Sequence, residues 1–236
     1  MNHARIALCL SGYVGTKNKF PHKEDKEYID INEGKQYILD NIIGDYNVDI
    51  FVHSFDISRK EEIINAYNPV DYIIEEQKKD FLIAENEKGV VKNNFPLDKT
   101  IFNCQSQYFS KKRVLEIKKT YEVANNFTYD WVFLTRFDMA FLRKFEYEKL
   151  DNSKFYLAEP IHDGKYNDFY FLSNSKNMDL ICGFYEKMKD CGFPTISNSV
   201  HSAIYEYIKK IGLSKNVVGL FERPWGSPKW SGDIRL

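Results

Sequence analysis

The sequence predicts an α/β fold with a mainly parallel central sheet flanked by helices. Three observations carry this. Residues 6–10, Ile-Ala-Leu-Cys-Leu, form a short continuous apolar run ended by Ser11-Gly12, the pattern of a strand covered on both faces. Residues 48–53 and 131–135 repeat that pattern and end in His53-Ser54 and Arg136-Phe137-Asp138. Helical periodicity fills the intervals, and strands that alternate with helices pair in parallel through right-handed crossovers.

Taken in order, residues 6–10 should be the first, central strand, and the polar, Lys-rich, Pro-containing residues 13–28 a loop at its carboxyl end. Asp30 and Glu33 make a capping box for a helix with Tyr37, Ile38 and Ile42 on its apolar side and Gly44 at its end. The second strand then brings His53, Ser54 and Asp56 to the same edge as Ser11. A short helix over 61–67 stops before Pro69, residues 71–75 form a third strand, and the charged residues 77–99 read as a loop or lid.

Residues 105–125 predict a helix with Tyr108, Val114 or Leu115, Ile117 and Tyr121 as its apolar stripe. Lys111, Lys112, Arg113, Lys118 and Lys119 form its basic face, which reads mostly as a solvated surface, with Lys112 and Arg113 as candidate diphosphate or acceptor contacts. The buried strand at 131–135 follows. Residues 155–159 and 168–172 are strand-like, separated by a polar loop over 161–167; helices over 176–189 and 199–211, a strand over 217–220 and an aromatic tail complete the chain.

A length of 236 residues suits a single α/β domain with a long tail. Apolar residues at 43%, charged residues at 28% and a formal net charge of −1 exclude disorder and a highly basic nucleic-acid binder. The 16 Tyr and 18 Phe offer flat faces for a base or a sugar as readily as they fill a core. Cys9, Cys104, Cys182 and Cys191 form no CxxC pair and have no His at metal-ligand spacing, so they read as reduced, buried thiols. The first apolar run is too short for a signal peptide or a membrane span, so a cytoplasmic protein is expected; without export the glycosylation match Asn126-Phe127-Thr128 would go unused.

Parallel sheets bind ligands beyond the carboxyl ends of their strands, which directs attention to Ser11-Gly12, His53-Ser54-Phe55-Asp56 and Arg136-Phe137-Asp138. A carboxylate at Asp138 can ligate a divalent metal, and such a metal neutralises a diphosphate leaving group. Arg136 can grip phosphate in bidentate fashion or hold Asp138 in place; a structural ion pair at the sheet edge is the other reading of the two residues.

LCLSG in the first strand, VDIFVHSFD in the second, SQYFSKKRVLEIKKTYE in the long helix and YDWVFLTRFDMAF thereafter occur in an order that resembles a family of small glycosyltransferases of the GT-A fold from bacteria and large DNA viruses. The likeness is clear over residues 5–145 and loose beyond. It implies a GT-A-like domain whose residues 1–140 bind a nucleotide sugar and whose residues 141–236 form the acceptor side and the C-terminal tail. The implied activity is transfer of a monosaccharide from a UDP- or GDP-linked donor to a glycan hydroxyl, with Mn²⁺ or Mg²⁺ as cofactor.

In that fold an Asp-x-Asp motif binds metal and diphosphate; here only Asp138 matches its metal-binding carboxylate and Arg136 replaces the first Asp, which makes a metal requirement an open question. By the same resemblance Ser11, Gly12 and Tyr13 lie beside the nucleotide, and His53 and Asp56 flank the base or ribose, though a turn glycine, a surface Tyr and a structural His fit these residues too. On the acceptor side, His162-Asp163-Gly164 and Asp168 are in place for an inverting transfer, which needs a proton acceptor; Asp168 is the first candidate and Asp163 the second. His201 and Glu206 are weaker candidates for holding sugar or acceptor, and Trp225 and Trp230 offer faces for a sugar ring or for packing. Two rival functions fit the same features: a nucleotidyltransferase, for which Ser11 to Lys17 is a thin version of the usual loop, and a non-catalytic carbohydrate-binding domain.

Overall fold

The computed structural model describes residues 4–15, 30–81, 90–91, 95–158, 160–161, 165–194, 199–220 and 233–235. In chain order these form β1 (Ile6–Ser11), α1 (Ile31–Ile38) with a π-helical turn (Leu39–Ile43), β2 (Val48–Ser54), α2 (Lys60–Tyr67), β3 (Asp71–Ile74), β4 (Val90–Val91) and β5 (Phe95–Pro96). The long α3 (Leu97–Asn125) leads to β6 (Trp131–Arg136), β7 (Met139–Phe141), β8 (Phe155–Leu157), β9 (Pro160–Ile161), β10 (Lys165–Tyr166) and β11 (Phe171–Ser173). Then come α4 (Ser175–Cys182), α5 (Phe184–Lys187), α6 (Val200–Lys210), β12 (Val217–Gly219) and β13 (Asp233–Arg235).

Seven strands form the main sheet in the order β12-β8-β11-β6-β1-β2-β3. Every neighbouring pair is parallel except those involving β11, which runs against both β6 and β8. The predicted mainly parallel sheet is therefore present, with β1 inside it between β6 and β2.

Alternation along the strands explains the unbroken apolar runs. Ala7 and Cys9 of β1, Phe51 of β2 and Val132 and Leu134 of β6 face a core filled by α3, α4, α5 and α6. Ile6, Leu8 and Leu10, with Val52 and Phe133, face a second core under α1 and α2 that also holds Met139, Phe141 and Phe145. A strand with helices on both sides has no polar face, so its sequence loses the period-2 signature.

Several boundaries differ from expectation for local reasons. Asp30 caps α1 by accepting from the amide of Asn32 at 2.9 Å, so the cap closes through Asn32 rather than Glu33. Of residues 77–99, expected as a loop or lid, 77–81 carry no regular element and 82–89 and 92–94 lie outside the described residues, while β4 pairs with β5 and α3 begins earlier than expected, at Leu97. The strand expected from Asp168 starts at Phe171. Gly183 lies between α4 and α5, and only glycine fits there, because a Cβ would stand 2.6 Å from the Tyr207 hydroxyl, which donates to the Leu180 carbonyl.

The expected basic face of α3 needs correcting. Lys118 is fully buried and donates to Glu122, Asp179 and Ser175 at 2.9, 2.7 and 2.6 Å, tying α3 to α4. Lys111 is buried as well, whereas Lys119 is exposed. Charge pairing with Asp179 of α4 and with Asp168 just before β11, invisible to a single-helix projection, turns two of the five basic residues inward.

All four cysteines are free thiols, Cys9 and Cys191 buried and Cys104 and Cys182 partly so. Burial pushes Cys9 and Cys104 up to about 12, leaving almost no thiolate for chemistry. Among the described residues no helix is long and apolar enough to cross a membrane.

Candidate functional site at the strand ends

The registers of β1 place Ser11 opposite His53 on one side and opposite Arg136 on the other. The three polar strand ends picked out in the sequence thus emerge side by side. Ser11 is buried and its hydroxyl donates to the Thr135 carbonyl at 3.2 Å, which fixes the end of β1 against β6.

Gly12 has φ +99°, a conformation that strains any residue with a side chain. Its amide is shared between Ser110 Oγ at 2.7 Å and the His53 carbonyl at 3.1 Å, while among the described residues no atom lies within 4 Å of the position a Cβ would take. The amide thus points into the fold and the open side of the residue is its Cα. Tyr13, 44% exposed, donates to Gln77 Oε1 at 2.9 Å, and Gln77 donates in turn to Ser106 Oγ at 2.6 Å. The Tyr13 ring leans on Phe55 with centroids 5.8 Å apart.

His53 is wholly buried. Its Nδ1 meets Ser110 Oγ at 2.7 Å and its Nε2 meets Glu75 Oε1 at 3.1 Å. A neutral ring carrying its proton on Nε2 satisfies both contacts, with Nε2–H donating to Glu75 and Nδ1 accepting from Ser110. Burial lowers its pKa below the usual imidazole value, opposed in part by the Glu75 hydrogen bond. The order Ser110, His53, Glu75 has the sequence of groups of a hydrolytic triad, but Ser110 has no exposure and lies in the middle of α3, where no substrate can reach its oxygen. These residues instead form a continuous chain from β2 through α3 to the Gly12 turn.

At the end of β6, Arg136 grips Asp138 side-on: Nε donates to Oδ1 at 2.7 Å and Nη2 donates to Oδ2. Arg136 keeps 17% of its side chain exposed and Asp138 only 4%. Next to them lies a second charge pair. The Lys111 ammonium, 4.4 Å from the centroid of the Tyr108 ring, donates to the Asp168 carbonyl at 2.6 Å and stands 3.4 Å from Oδ2, to which Gln107 also donates at 2.9 Å. His201 Nδ1 lies 3.0 Å from the Tyr166 carbonyl and 3.5 Å from Asp168 Oδ1. Burial alone would raise the Asp168 carboxyl; the charges of Lys111 and Arg136, joined by His201 when it is protonated, overcome it and hold the group at about 2. Burial lowers the Lys111 ammonium, only partly offset by Asp168.

A carboxylate held that low is a weak proton acceptor at neutral pH, so Asp168 is better suited to orienting its neighbours than to general-base work. With Nδ1–H directed at the Tyr166 carbonyl, His201 presents Nε2 as an acceptor, and this nitrogen has no partner among the described residues.

The expected divalent metal fits these side chains poorly. Both oxygens of Asp138 face the Arg136 guanidinium, so a metal there would stand beside a fixed positive charge. Among the described residues no three His, Cys, Asp or Glu side chains come together as a metal site.

Of the remaining candidates, Asp56 is buried and its Oδ1 accepts from Ser58 at 3.2 Å, close enough to Tyr13 to help raise that phenol, after burial. Lys112 pairs with Glu186 and, at 3.4 Å, with Glu116, while Arg113 pairs with Glu116 at 3.1 Å and lies 3.6 Å from Glu75. Glu206 pairs with Lys209 on the exposed side of α6. Asp163 with His162 and Gly164, Trp225 and Trp230 lie outside the described residues.

Sequence reasoning did not single out Gln107, Ser110 or Lys111 for the site, although polar residues at 106, 107, 110 and 111 recur at helical spacing on one stripe of α3. That spacing within an otherwise core-facing helix was the available signal. No protein-family model matches the chain, and no curated protein matches it.

Proposed function

We propose that the chain transfers a monosaccharide from a UDP- or GDP-linked sugar to a glycan hydroxyl on a GT-A-like domain. The observation that carries this reading is the register that sets Ser11 opposite Arg136, so that the Gly12 turn and the Arg136–Asp138 pair share one edge of a mainly parallel sheet. That edge is where such sheets receive nucleotides.

The chemistry divides between two charge pairs. Exposed Tyr13 offers a ring to the base and Arg136 faces the diphosphate. In a direct displacement, the acceptor hydroxyl gives its proton to His201 Nε2 and its oxygen bonds to the anomeric carbon. The carbon–diphosphate bond breaks, its electron pair leaves on the diphosphate, and Arg136 meets the added charge. Asp168, fixed by Lys111 and Gln107, orients His201 and balances the charge it gains.

The test combines ligand-dependent melting with donor hydrolysis. UDP, GDP and their sugars should raise the melting temperature, because a ligand that binds only the folded state stabilises it. Release of UDP or GDP from the matching sugar nucleotide should disappear in Asp138→Ala while circular dichroism stays unchanged. Turnover unchanged by this substitution rules out the site; pyrophosphate release from a nucleoside triphosphate would indicate a nucleotidyltransferase instead.

A further inference from the structure

Resting on the sugar-nucleotide reading above, we propose that the Arg136 guanidinium, aimed by Asp138, is the protein's own cation for the donor diphosphate, and that nucleotide binding at the β1 and β6 ends needs no divalent metal.

The geometry of the pair divides the guanidinium in two. Its Nε and Nη2 edge is taken by the two oxygens of Asp138. Its Nη1 side has no hydrogen-bond or ion-pair partner among the described residues, and the side chain keeps 17% of its surface exposed. A guanidinium has donors on both edges, so it can be anchored through one and still meet a phosphate through the other. Burial of Asp138 to 4% fixes the anchor, and the short Arg-Phe-Asp spacing keeps both partners on one turn.

The Gly12 turn adjoins this pair. Arg136 is registered against Ser11, and at the adjoining Gly12 no atom of the described residues comes within 4 Å of the point where a methyl group would stand. Nearby Lys111 adds a second positive charge, balanced by Asp168, close enough that Arg136 contributes to lowering it. Arg136 and Asp138 sum to zero formal charge, so the pair needs no further cation for its own neutrality. A divalent ion on Asp138 would have to displace the guanidinium from both carboxylate oxygens or sit against its charge. On this geometry Asp138 is a positioning residue for Arg136 and not a metal ligand.

The experiment is calorimetric titration of UDP and of GDP into the full chain, in excess EDTA and in Mn²⁺ or Mg²⁺. The expected result is a dissociation constant for the preferred nucleotide that agrees within about threefold between the two conditions. Arg136→Ala should weaken binding about tenfold to a hundredfold, the loss of a charge-assisted pair of hydrogen bonds. Arg136→Lys, which keeps the charge and loses the fork, should fall between. Because Arg136→Ala leaves Asp138 buried without its cation, Arg136→Gln combined with Asp138→Asn serves as a neutral, shape-keeping control for folding and should show the same weakening. Binding that appears with Mn²⁺ and vanishes in EDTA overturns the inference while leaving sugar transfer standing. Failure of both nucleotides in both conditions overturns the sugar-nucleotide reading and this inference with it.

Discussion

The Lys111 ammonium donates to the Asp168 carbonyl at 2.6 Å and lies 3.4 Å from the Asp168 carboxylate, joining the middle of α3 to the chain just before β11. Both side chains are buried, so removing one strands the other's charge. Lys111→Met should destabilise the fold by about 3–5 kcal/mol in urea unfolding. Lys111→Met with Asp168→Asn should cost clearly less than the two single changes added together. Strict additivity would show that the two groups do not depend on each other.

His53 gives the fold a pH dependence near neutrality. Its folded pKa is lowered by burial, so the unfolded chain binds the proton more readily. Stability should be fully present above the ordinary imidazole value of about 6.5 and decline as pH falls below it. His53→Gln should flatten that decline in melts taken between pH 8 and about 5. An unchanged slope would place the responsible proton elsewhere.

Asp168 acts in a separate window. Its folded value of about 2 lies below that of an exposed aspartate, so its stabilisation is present above about pH 4 and is lost as pH falls toward 2. The contribution is on the order of 2 kcal/mol. Asp168→Asn should lower stability at neutral pH and reduce the steepness of acid unfolding across that interval; identical acid unfolding curves would refute the assignment.

The Gly12 turn should be sensitive for conformational reasons alone. Gly12→Ala meets no clash with the described residues, yet φ +99° imposes strain of about 1–3 kcal/mol. Ser110→Ala removes the oxygen that receives the Gly12 amide and contacts His53, at a cost of about 1–3 kcal/mol. Thermal unfolding of the two variants checks both values, and a neutral Ser110→Ala would mean that the chain from β2 to the turn is not a structural tie.

On the acceptor side, His201→Gln should slow donor hydrolysis by roughly 10²- to 10⁴-fold while nucleotide binding stays unchanged. Glu206→Gln, five residues further along α6 and paired with Lys209, should leave hydrolysis as it was. Equal rates in His201→Gln and the unaltered protein would remove His201 from the reaction.

The sheet was legible in the sequence because burial on both faces forces wholly apolar strands, and Ile6, Leu8 and Phe133 on one side with Ala7, Cys9 and Leu134 on the other show that pressure directly. The polar strand ends were legible for the converse reason: Ser11-Gly12, His53-Ser54 and Arg136 follow apolar runs abruptly, and their registers bring them together. Expectations failed where a residue's role depends on a distant partner. Lys111 and Lys118 look like surface lysines until Asp168 and Asp179 are placed against them.

By itself, the sequence determined the alternation of strands and helices, the mainly parallel sheet and the edge on which polar groups collect, because these follow from periodicity and from residues close together along the chain. Only the tertiary structure decided that Asp168 is held by Lys111 and Gln107, and that Ser110 of α3 reaches both His53 and Gly12. The strength and direction of a charge or hydrogen bond depend on distance and burial in space, and pairs separated by up to 98 positions along the chain have neither until the chain has folded.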